Sequence, residues 1–252
     1  SLSFGGVKDI RGSLKRLEIG STLGTGELLS LCSLLENTNR AKAYSRRENA
    51  EEKQDSLDDM FEILQPLTPL ALEIRRCILS EEEIADDASA GLKQIRRTMK
   101  NTNDKIHNQL SSYVSGSART YLQDAVVTMR NGRYCIPVKA EHKGQVPGMI
   151  HDQSSTGSTV FVEPMAIVKL NNDLRELEIK EQAEIEIILS NLSQYAAENL
   201  EAIEDDLKVM TQLDFIFARA LLAKAQNATE PRFNTKGIID LKKARHPLID
   251  KH

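Results

Sequence analysis

Residues 125–163 form the only β-rich island in a chain that otherwise shows helical periodicity. Within the island, Asn131-Gly132 separates two apolar runs, VVTMR and RYCIPV. Asn-Gly between apolar runs is the strongest short-range hairpin signal, because both residues tolerate a positive φ. A two-residue turn also fixes the register, so that Arg130 faces Arg133. The island is therefore predicted to begin with a β-hairpin.

This register divides the hairpin side chains between two faces. One face is apolar and needs cover, and it contains Ala125, Val127, Met129, Tyr134, Ile136 and Val138. The other face is expected to contact water, and it contains Thr128, Arg130, Arg133, Cys135 and Lys139. Turn signals at 142–144 and 154–157 predict two further strands, near 149–151 and 159–162. Residues 153–159 also have the composition of a phosphate-cradling loop, but a turn between strands is favoured.

Long helices are predicted on both sides of the island. Apolar steps of three and four predict one helix over residues 87–117. After Pro164, a residue suited to the first position of a helix, no breaker occurs until Asn227. Such a helix would span about 90 Å unless it bends between Ile188 and Leu200, where its apolar stripe shifts. A helix this long must lie against another, so we expect residues 87–117 and about 196–227 to form an antiparallel lever.

Shorter helices are predicted for a base that carries this lever. They cover residues 27–47, with Thr25 as N-cap, then 57–64 and 69–79, separated by Pro66 and Pro69. Residues 231–241 are predicted to be a strand. The expected fold class is mainly α, a multi-helical core with long antiparallel lever helices and a small inserted antiparallel β clamp. The expected domains are a core with the first lever helix (1–117), a clamp with a β meander and a helix (118–195), and a returning lever helix with core (196–252).

Composition and motifs exclude several function classes. No apolar run approaches the roughly 20 residues of a membrane span, and we expect no signal peptide. The cysteines Cys32, Cys77 and Cys135 are odd in number and far apart, which indicates a reducing compartment and a cytoplasmic location. Neither a G-x-x-x-x-G-K-[ST] loop nor a G-x-G-x-x-G motif occurs, and the histidines have no ligand spacing. We therefore expect no catalytic residue, metal or cofactor in this chain.

Positive charge is concentrated in one part of the sequence. Residues 91–151 contain ten basic and three acidic residues, a balance of +7, in a chain whose net charge is −4. Such asymmetry is typical of a nucleic-acid surface or of two solvated helix faces that attract each other. Facing arginines in a hairpin also need an anion or open solvent. The predicted phosphate contacts are Arg130, Arg133, Lys139, His142 and Lys143, with a secondary basic face of Lys93, Arg96, Arg97 and Lys100.

Four runs of the sequence resemble one bacterial family. They are EHKGQVPGMIHDQSSTGSTVFVEPMAIVKLNNDLRELE (Glu141–Glu178), GGVKDIRGSLKRLEIGSTLGTGELL near the start, LDFIFARALLAKAQNATEPRFN (Leu213–Asn234) and ARHPLID (Ala244–Asp250). These runs are similar to the core, lever and clamp region of the second bacterial MutS paralogue, which lacks a mismatch-reading domain. The similarity covers essentially the whole chain, and ARHPLID resembles the boundary ahead of that family's ATPase domain.

The resemblance implies a helical core and lever with an inserted clamp. In the family a P-loop ATPase domain and a small nuclease domain follow, so ATP with Mg²⁺, strand cleavage and the main homodimer contact belong to the parent. This chain is then expected to be no enzyme and to dimerise weakly or not at all. The implied partner is duplex or branched DNA, in a parent that suppresses recombination. The alternatives are a ribosome-binding clamp of a collided-ribosome rescue factor and a purely structural spacer or dimer scaffold; no membrane partner is expected.

Overall fold

The computed structural model describes residues 4–48, 57–242 and 244. These residues form seven α-helices and six short strands in two antiparallel sheets, which confirms the predicted fold class. The helices are α1 Arg11–Glu18, α2 Thr25–Glu48, α3 Asp58–Ile63, α4 Thr68–Cys77, α5 Ala90–Ser115, α6 Met165–Ala197 and α7 Leu200–Gln226. The strands are β1 Ile78–Ser80, β2 Glu83–Ile84, β3 Thr128–Arg130, β4 Arg133–Lys139, β5 Gly148–Gln153 and β6 Thr159–Pro164. Except for Ala244, the ARHPLID run lies outside the described residues.

Two separate hydrophobic cores organise these elements. The base core joins α1, α2, α3, α4 and α7 to the start of α5 and the end of α6, and its largest buried side chains include Leu28, Leu31, Leu35 and Ile74. The tip core joins the four-stranded sheet to the end of α5 and the start of α6 through Ile106, Leu110, Ile136, Val162 and Leu174. Helices α5 and α6 therefore run antiparallel between the two cores, and we call this helix pair the lever.

The identity of the second lever helix corrects the expected pairing. Helix α5 packs along α6, whereas α7 packs against α1, α2 and α3 in the base. The long helix breaks at Asn199, within the region where the apolar stripe shifts, and α7 turns back toward the base. The expected pairing of 87–117 with about 196–227 is wrong, because the apolar face of α7 is buried in the base core. The three predicted domain boundaries remain a prediction.

Polar contacts fix the lever at its base end. The Ser89 hydroxyl accepts the Leu92 N–H (2.9 Å), which caps α5, and donates to Glu184 Oε1 of α6 (2.6 Å). Nearer the tip, Arg96 Nε of α5 donates to Glu181 Oε1 of α6 (2.7 Å). The Glu184 carboxylate lies over Gly91, where an added Cβ would be only 2.6 Å from Glu184 Oε1. The base end is therefore held by directional bonds in addition to apolar packing.

Three local predictions need correction. Thr25 is the first residue of α2 and not its N-cap, since its hydroxyl donates to the Glu81 carbonyl (2.6 Å) while Glu27 accepts the Gly24 N–H (3.0 Å). Pro164 ends β6, and α6 begins at the next residue. Residues 231–241 form no strand, because no neighbouring strand pairs with this exposed segment among the described residues.

The tip sheet contains the predicted hairpin and both further strands, in the order β3-β4-β6-β5. Asn131 and Gly132 have φ values of 51° and 73°, and Arg130 faces Arg133 as predicted. Residues 154–158 form the turn between β5 and β6, which confirms the turn interpretation. The sheet is antiparallel as predicted, but the expected β meander is wrong, because β6 lies between β4 and β5 and the β4–β5 connection has to cross it.

The prediction of one water-exposed sheet face is wrong. The Arg130 guanidinium reaches Asp152 Oδ2 (3.2 Å), and Asn131 Nδ2 donates to the His151 carbonyl (3.1 Å). These contacts bring the first hairpin to β5, so the sheet curls over the face that was expected to be wet. Cys135 on that face is completely buried, and burial raises the pKa of its thiol to about 11.

One buried carboxyl group in the base couples folding to pH. Asp206 of α7 is fully buried; its Oδ1 accepts the Gln65 N–H (2.8 Å), and its Oδ2 has no partner within the described residues. Burial raises the pKa of Asp206 to about 7, although the Gln65 N–H and the charge of Lys42 act in the opposite direction. Lys42 Nζ donates to the Leu64 carbonyl (2.7 Å), so α2 and α7 both hold the segment after α3.

Replacing this carboxyl group tests its charge state. Because the folded pKa is raised, the folded protein keeps a proton that the unfolded chain loses between about pH 4 and pH 7, and stability falls across that window. Asp206→Asn keeps the acceptor oxygen and removes the charge. We expect a stabilisation on the order of 2–4 kcal/mol at pH 8 and a smaller one at pH 5, measured by urea unfolding. The exposed Asp214→Asn is the control, and an equal effect of Asp206→Asn at both pH values would contradict this assignment.

Candidate nucleic-acid interface

A buried carboxylate lies where the tip sheet meets the lever. The Glu163 side chain at the end of β6 has no solvent exposure. It accepts two hydrogen bonds from Arg133 of β4, at 2.8 and 2.5 Å, and one from Asn171 Nδ2 of α6, at 2.8 Å. Its third partner, in a fourth hydrogen bond, is His151 Nε2 of β5. One side chain therefore ties three strands and the lever helix α6 together.

Asn171 extends the tip sheet beyond the end of β6. Its Oδ1 accepts the Tyr134 N–H (3.1 Å), and its Nδ2 donates to the Tyr134 carbonyl (3.2 Å). Strand β4 would otherwise leave both backbone groups unpaired there, because β6 ends at Pro164 and the chain turns into α6. A side-chain amide thus takes the place of a neighbouring strand, which satisfies buried backbone groups at the sheet–helix junction.

The electrostatics of this cluster favour a charged pair. Burial alone would raise the pKa of Glu163, but hydrogen bonds from Arg133, Asn171 and His151 outweigh it and hold that pKa below its ordinary value. The same pairing raises the pKa of Arg133. Arg133 Nη2 also donates to Asn172 Oδ1 (2.8 Å), so this guanidinium is already bonded on several sides. The cation–anion pair that sequence reasoning assigned to an external phosphate is formed inside the protein.

Arg130, the other facing arginine, lies apart from this cluster. Its guanidinium carbon is 3.8 Å from the centre of the Phe161 ring, and Nη1 donates to Thr128 Oγ1 (3.0 Å). With its Asp152 ion pair, these contacts place the side chain across the curled sheet. The side chain remains 35% exposed. The two arginines avoid their mutual repulsion because each has its own carboxylate.

Lys139, His142 and Lys143 lie at the opposite end of β4 from Arg133, roughly 20 Å away at ~3.3 Å per residue. We call this group the lysine end of the sheet. Lys139 Nζ donates only to the neutral Thr120 carbonyl (3.3 Å), and Lys143 is exposed. His142 lies 5.3 Å from the Tyr121 ring and 3.5 Å from Glu141 Oε1. In the part of the chain that the structure describes, neither lysine has an ion-pair partner.

The secondary basic face on α5 is also divided. Lys93 pairs with Asp87 (2.6 Å), and Arg96 is half-buried between Asp86 and Glu181. Arg97 and Lys100 are exposed and form no ion pair with any described residue. Of the nine candidate side chains, the structure therefore leaves Lys139 and Lys143 on the sheet and Arg97 and Lys100 on α5 without a carboxylate.

Sequence reasoning did not identify Glu163, His151 or Asn171 as a cluster. Glu163 follows the alternating run Thr159–Val162, and a charged residue at that position indicates only that the strand ends there. The available signal was its place directly before a helix, since a buried acid at such a junction needs donors from neighbouring elements. Those donors come from positions 8 to 30 residues away, and only the folded topology brings them together.

Two negative findings concern the described residues. None of their helices combines the length and apolar character needed to cross a membrane. No group of three or more His, Cys, Asp or Glu side chains among them is arranged to hold a metal ion.

Comparison with known proteins gives a consistent set of relatives. Proteins named Endonuclease MutS2 match from Agathobacter rectalis (59% identical over 250 residues), Lachnoclostridium phytofermentans (56% over 256) and Lachnospira eligens (51% over 253). The alignments cover 99%, 99% and 100% of this chain, but only 32% of each relative, so the chain spans about a third of their length. No family model matches the chain.

These relatives define the chain as a region of a MutS-type protein. It belongs to the MutS2 family, which confirms the resemblance to the second bacterial MutS paralogue.

The buried cluster yields a stability prediction. Glu163→Gln leaves Arg133 without its carboxylate, and removing one member of a buried, hydrogen-bonded pair is costly. We expect a loss of about 2–4 kcal/mol in the free energy of unfolding, measured with urea at pH 7. The matched control is Glu178→Gln, which breaks the exposed Arg175 pair and should change stability by less than about 0.5 kcal/mol. If both substitutions change the free energy of unfolding equally, the buried cluster stabilises the fold no more than an exposed ion pair does.

Proposed function

We propose that this chain is the nucleic-acid-contacting region of a MutS2 protein and that the lysine end of the tip sheet touches the phosphate backbone. The observation that carries the proposal is that Lys139 and Lys143, at one end of the sheet, have no carboxylate partner among the described residues. The two arginines of the same sheet, Arg130 and Arg133, are by contrast paired with carboxylates. Ammonium groups without an internal partner gain most from phosphate, because binding releases counterions from the nucleic acid.

The structure supports roles for the basic side chains that differ from those expected from the sequence. Arg133 binds Glu163 at the junction between the sheet and the lever, and Arg130 pairs with Asp152 across the curled sheet. Arg97 and Lys100 form a second contact surface on the lever, which lies on the same helix that leads to the tip. Backbone contacts of this kind orient a protein on nucleic acid without selecting a sequence. We therefore propose binding that depends on salt and on shape more than on base sequence.

We further propose that the enzyme activities of the longer protein lie outside this region, and that the parent acts in the cytoplasm as a homodimer. The relatives are named endonucleases, whereas the described residues contain no cluster suited to metal-assisted cleavage. The expected partner is DNA. A ribosome presents the same phosphates through its RNA, and a lever with two cores also suits a mechanical spacer, so both remain outcomes of the binding test.

Replacing the two lysines tests the contact. Each lost phosphate contact should reduce the slope of log affinity against log salt by about 0.9 for duplex DNA. Lys139→Ala/Lys143→Ala should therefore flatten the slope by roughly 1.8 and weaken binding of unrelated sequences equally. The measurement is a fluorescence-anisotropy titration at several salt concentrations with duplex DNA, branched DNA and purified ribosomes in parallel.

The control for this titration is Lys15→Ala/Lys208→Ala, which removes two exposed cations from the base. An unchanged slope in the tip variant, with a reduced slope in Arg97→Ala/Lys100→Ala, would move the contact to the lever. Binding to ribosomes alone would favour ribosome rescue. Failure of the unsubstituted chain to bind any of the three would leave the spacer function.

Nucleotide titration tests the assignment of ATP chemistry to other parts of the parent. The chain has no phosphate-binding P-loop sequence, so isothermal calorimetry with ATP and Mg²⁺ should show no binding heat. Phosphate release should equal that of buffer. A saturable heat signal or turnover above buffer would overturn the assignment.

A further inference from the structure

Two turns meet at the lysine end of the sheet. The connection after β4 begins with a 3₁₀ turn at Ala140–His142, and the β5–β6 turn covers residues 154–158. The Ala140 N–H donates to the Ser158 carbonyl (2.9 Å), and Lys139 is paired with Thr159 in the sheet. The two turns are therefore neighbours at this end of the sheet, with Lys139 and Lys143 in and beside the first and the hydroxyl groups in the second.

The β5–β6 turn keeps its shape without using all its donors. The Ser154 N–H donates to the Thr159 carbonyl and the Gly157 N–H to the Ser154 carbonyl, each at 2.9 Å. Gln153 Nε2 adds a bond to the Gly157 carbonyl (3.1 Å), and Gly157 has a φ of +73°. Within the described part of the chain, the backbone N–H groups of Ser155, Thr156 and Ser158 make no hydrogen bond.

Hydroxyl groups line the same turn. Thr156 Oγ1 lies 2.9 Å from Ser158 Oγ, and both residues are exposed, as is Ser155. Ser154 Oγ has a different task, since it accepts the Thr159 N–H (3.1 Å) and closes the turn. Of the two acidic neighbours, Asp152 pairs with Arg130, and Glu141 of the first turn lies 3.5 Å from His142. The turn thus offers neutral donors next to cations.

We propose that the 154–158 turn, together with Lys139 and Lys143, forms a binding site for one phosphodiester group of a nucleic-acid backbone. Its free N–H and hydroxyl groups bind the non-bridging oxygens, and the two ammonium groups neutralise the charge. Groups of backbone N–H donors in turns are known to form such anion-binding concavities. This inference rests on the proposed function, because it assigns a defined site to the contact surface named there.

The proposal makes neutral donors and cations separable by experiment. Losing a cation changes both affinity and salt slope, whereas losing a neutral donor changes affinity alone, because no counterion is released in exchange for it. The variant is Ser155→Ala/Thr156→Val/Ser158→Ala, which leaves the turn-closing Ser154 intact. We expect roughly tenfold weaker binding of duplex DNA and duplex RNA with an unchanged salt slope.

A mutant cycle tests whether both groups serve the same phosphate. The hydroxyl variant combined with Lys139→Ala/Lys143→Ala should lose less affinity than the product of the fold-losses of the two separate variants. This is expected because groups that bind the same phosphate are energetically coupled. Thr211→Val in the base is the matched control and should bind like the unsubstituted chain. Circular dichroism and thermal unfolding of each variant establish that the sheet remains folded.

The outcomes separate the two proposals. If the unsubstituted chain binds neither nucleic acid, the proposed function itself fails. If it binds with a salt slope that the lysine variant reduces, while the hydroxyl variant binds normally, only the phosphate site is overturned. Independent losses in the cycle would likewise overturn it, since the hydroxyl groups would then act at another place. Weaker binding of RNA alone or DNA alone identifies which backbone the site accepts.

Discussion

The antiparallel pairing of α5 with α6 is the constraint on which the rest of the structure depends. Each helix contributes one end to the base core and the other to the tip core. Between Leu92 and Thr102 of α5, and between Leu174 and Ile188 of α6, no residue is fully buried. Among the described residues, α5 and α6 are the elements that contribute buried side chains to both cores. The directional bonds of Ser89 and Arg96 set where this helix pair leaves the base.

At the other end of the lever, one buried negative charge sets the geometry of the sheet. A carboxylate without exposure is costly unless it is paired and hydrogen-bonded, and Glu163 meets both conditions. Its partners fix β4, β5 and β6 relative to α6, so the orientation of the sheet on the lever is specified by bonds that an apolar contact alone would not provide. The cations at the far end of β4 thereby acquire a defined position relative to the base.

Local patterns predicted the fold well where a short stretch of sequence decides the outcome. Asn131-Gly132 determined the hairpin register, and Gly116 marked the end of α5. The partner of α5 was not predictable from stripes alone, because α6 and α7 both have one and the break at Asn199 decides which helix faces it. The roles of Arg130 and Arg133 also failed to follow from sequence, since the carboxylates that neutralise them lie 22 and 30 residues further along the chain.

The nested arrangement of the two cores has a consequence for the order of folding. All buried members of the tip core lie between Ile106 and Leu174, whereas the base core draws on residues from Ile10 to Leu213. Bringing Ser89 to Glu184 closes a loop of 95 residues, which costs a flexible chain about 4 kcal/mol of entropy. A tip that has already folded shortens the flexible part of that loop and lowers this cost. During synthesis from the N-terminus, the tip can thus assemble while the last helix of the base is still being made.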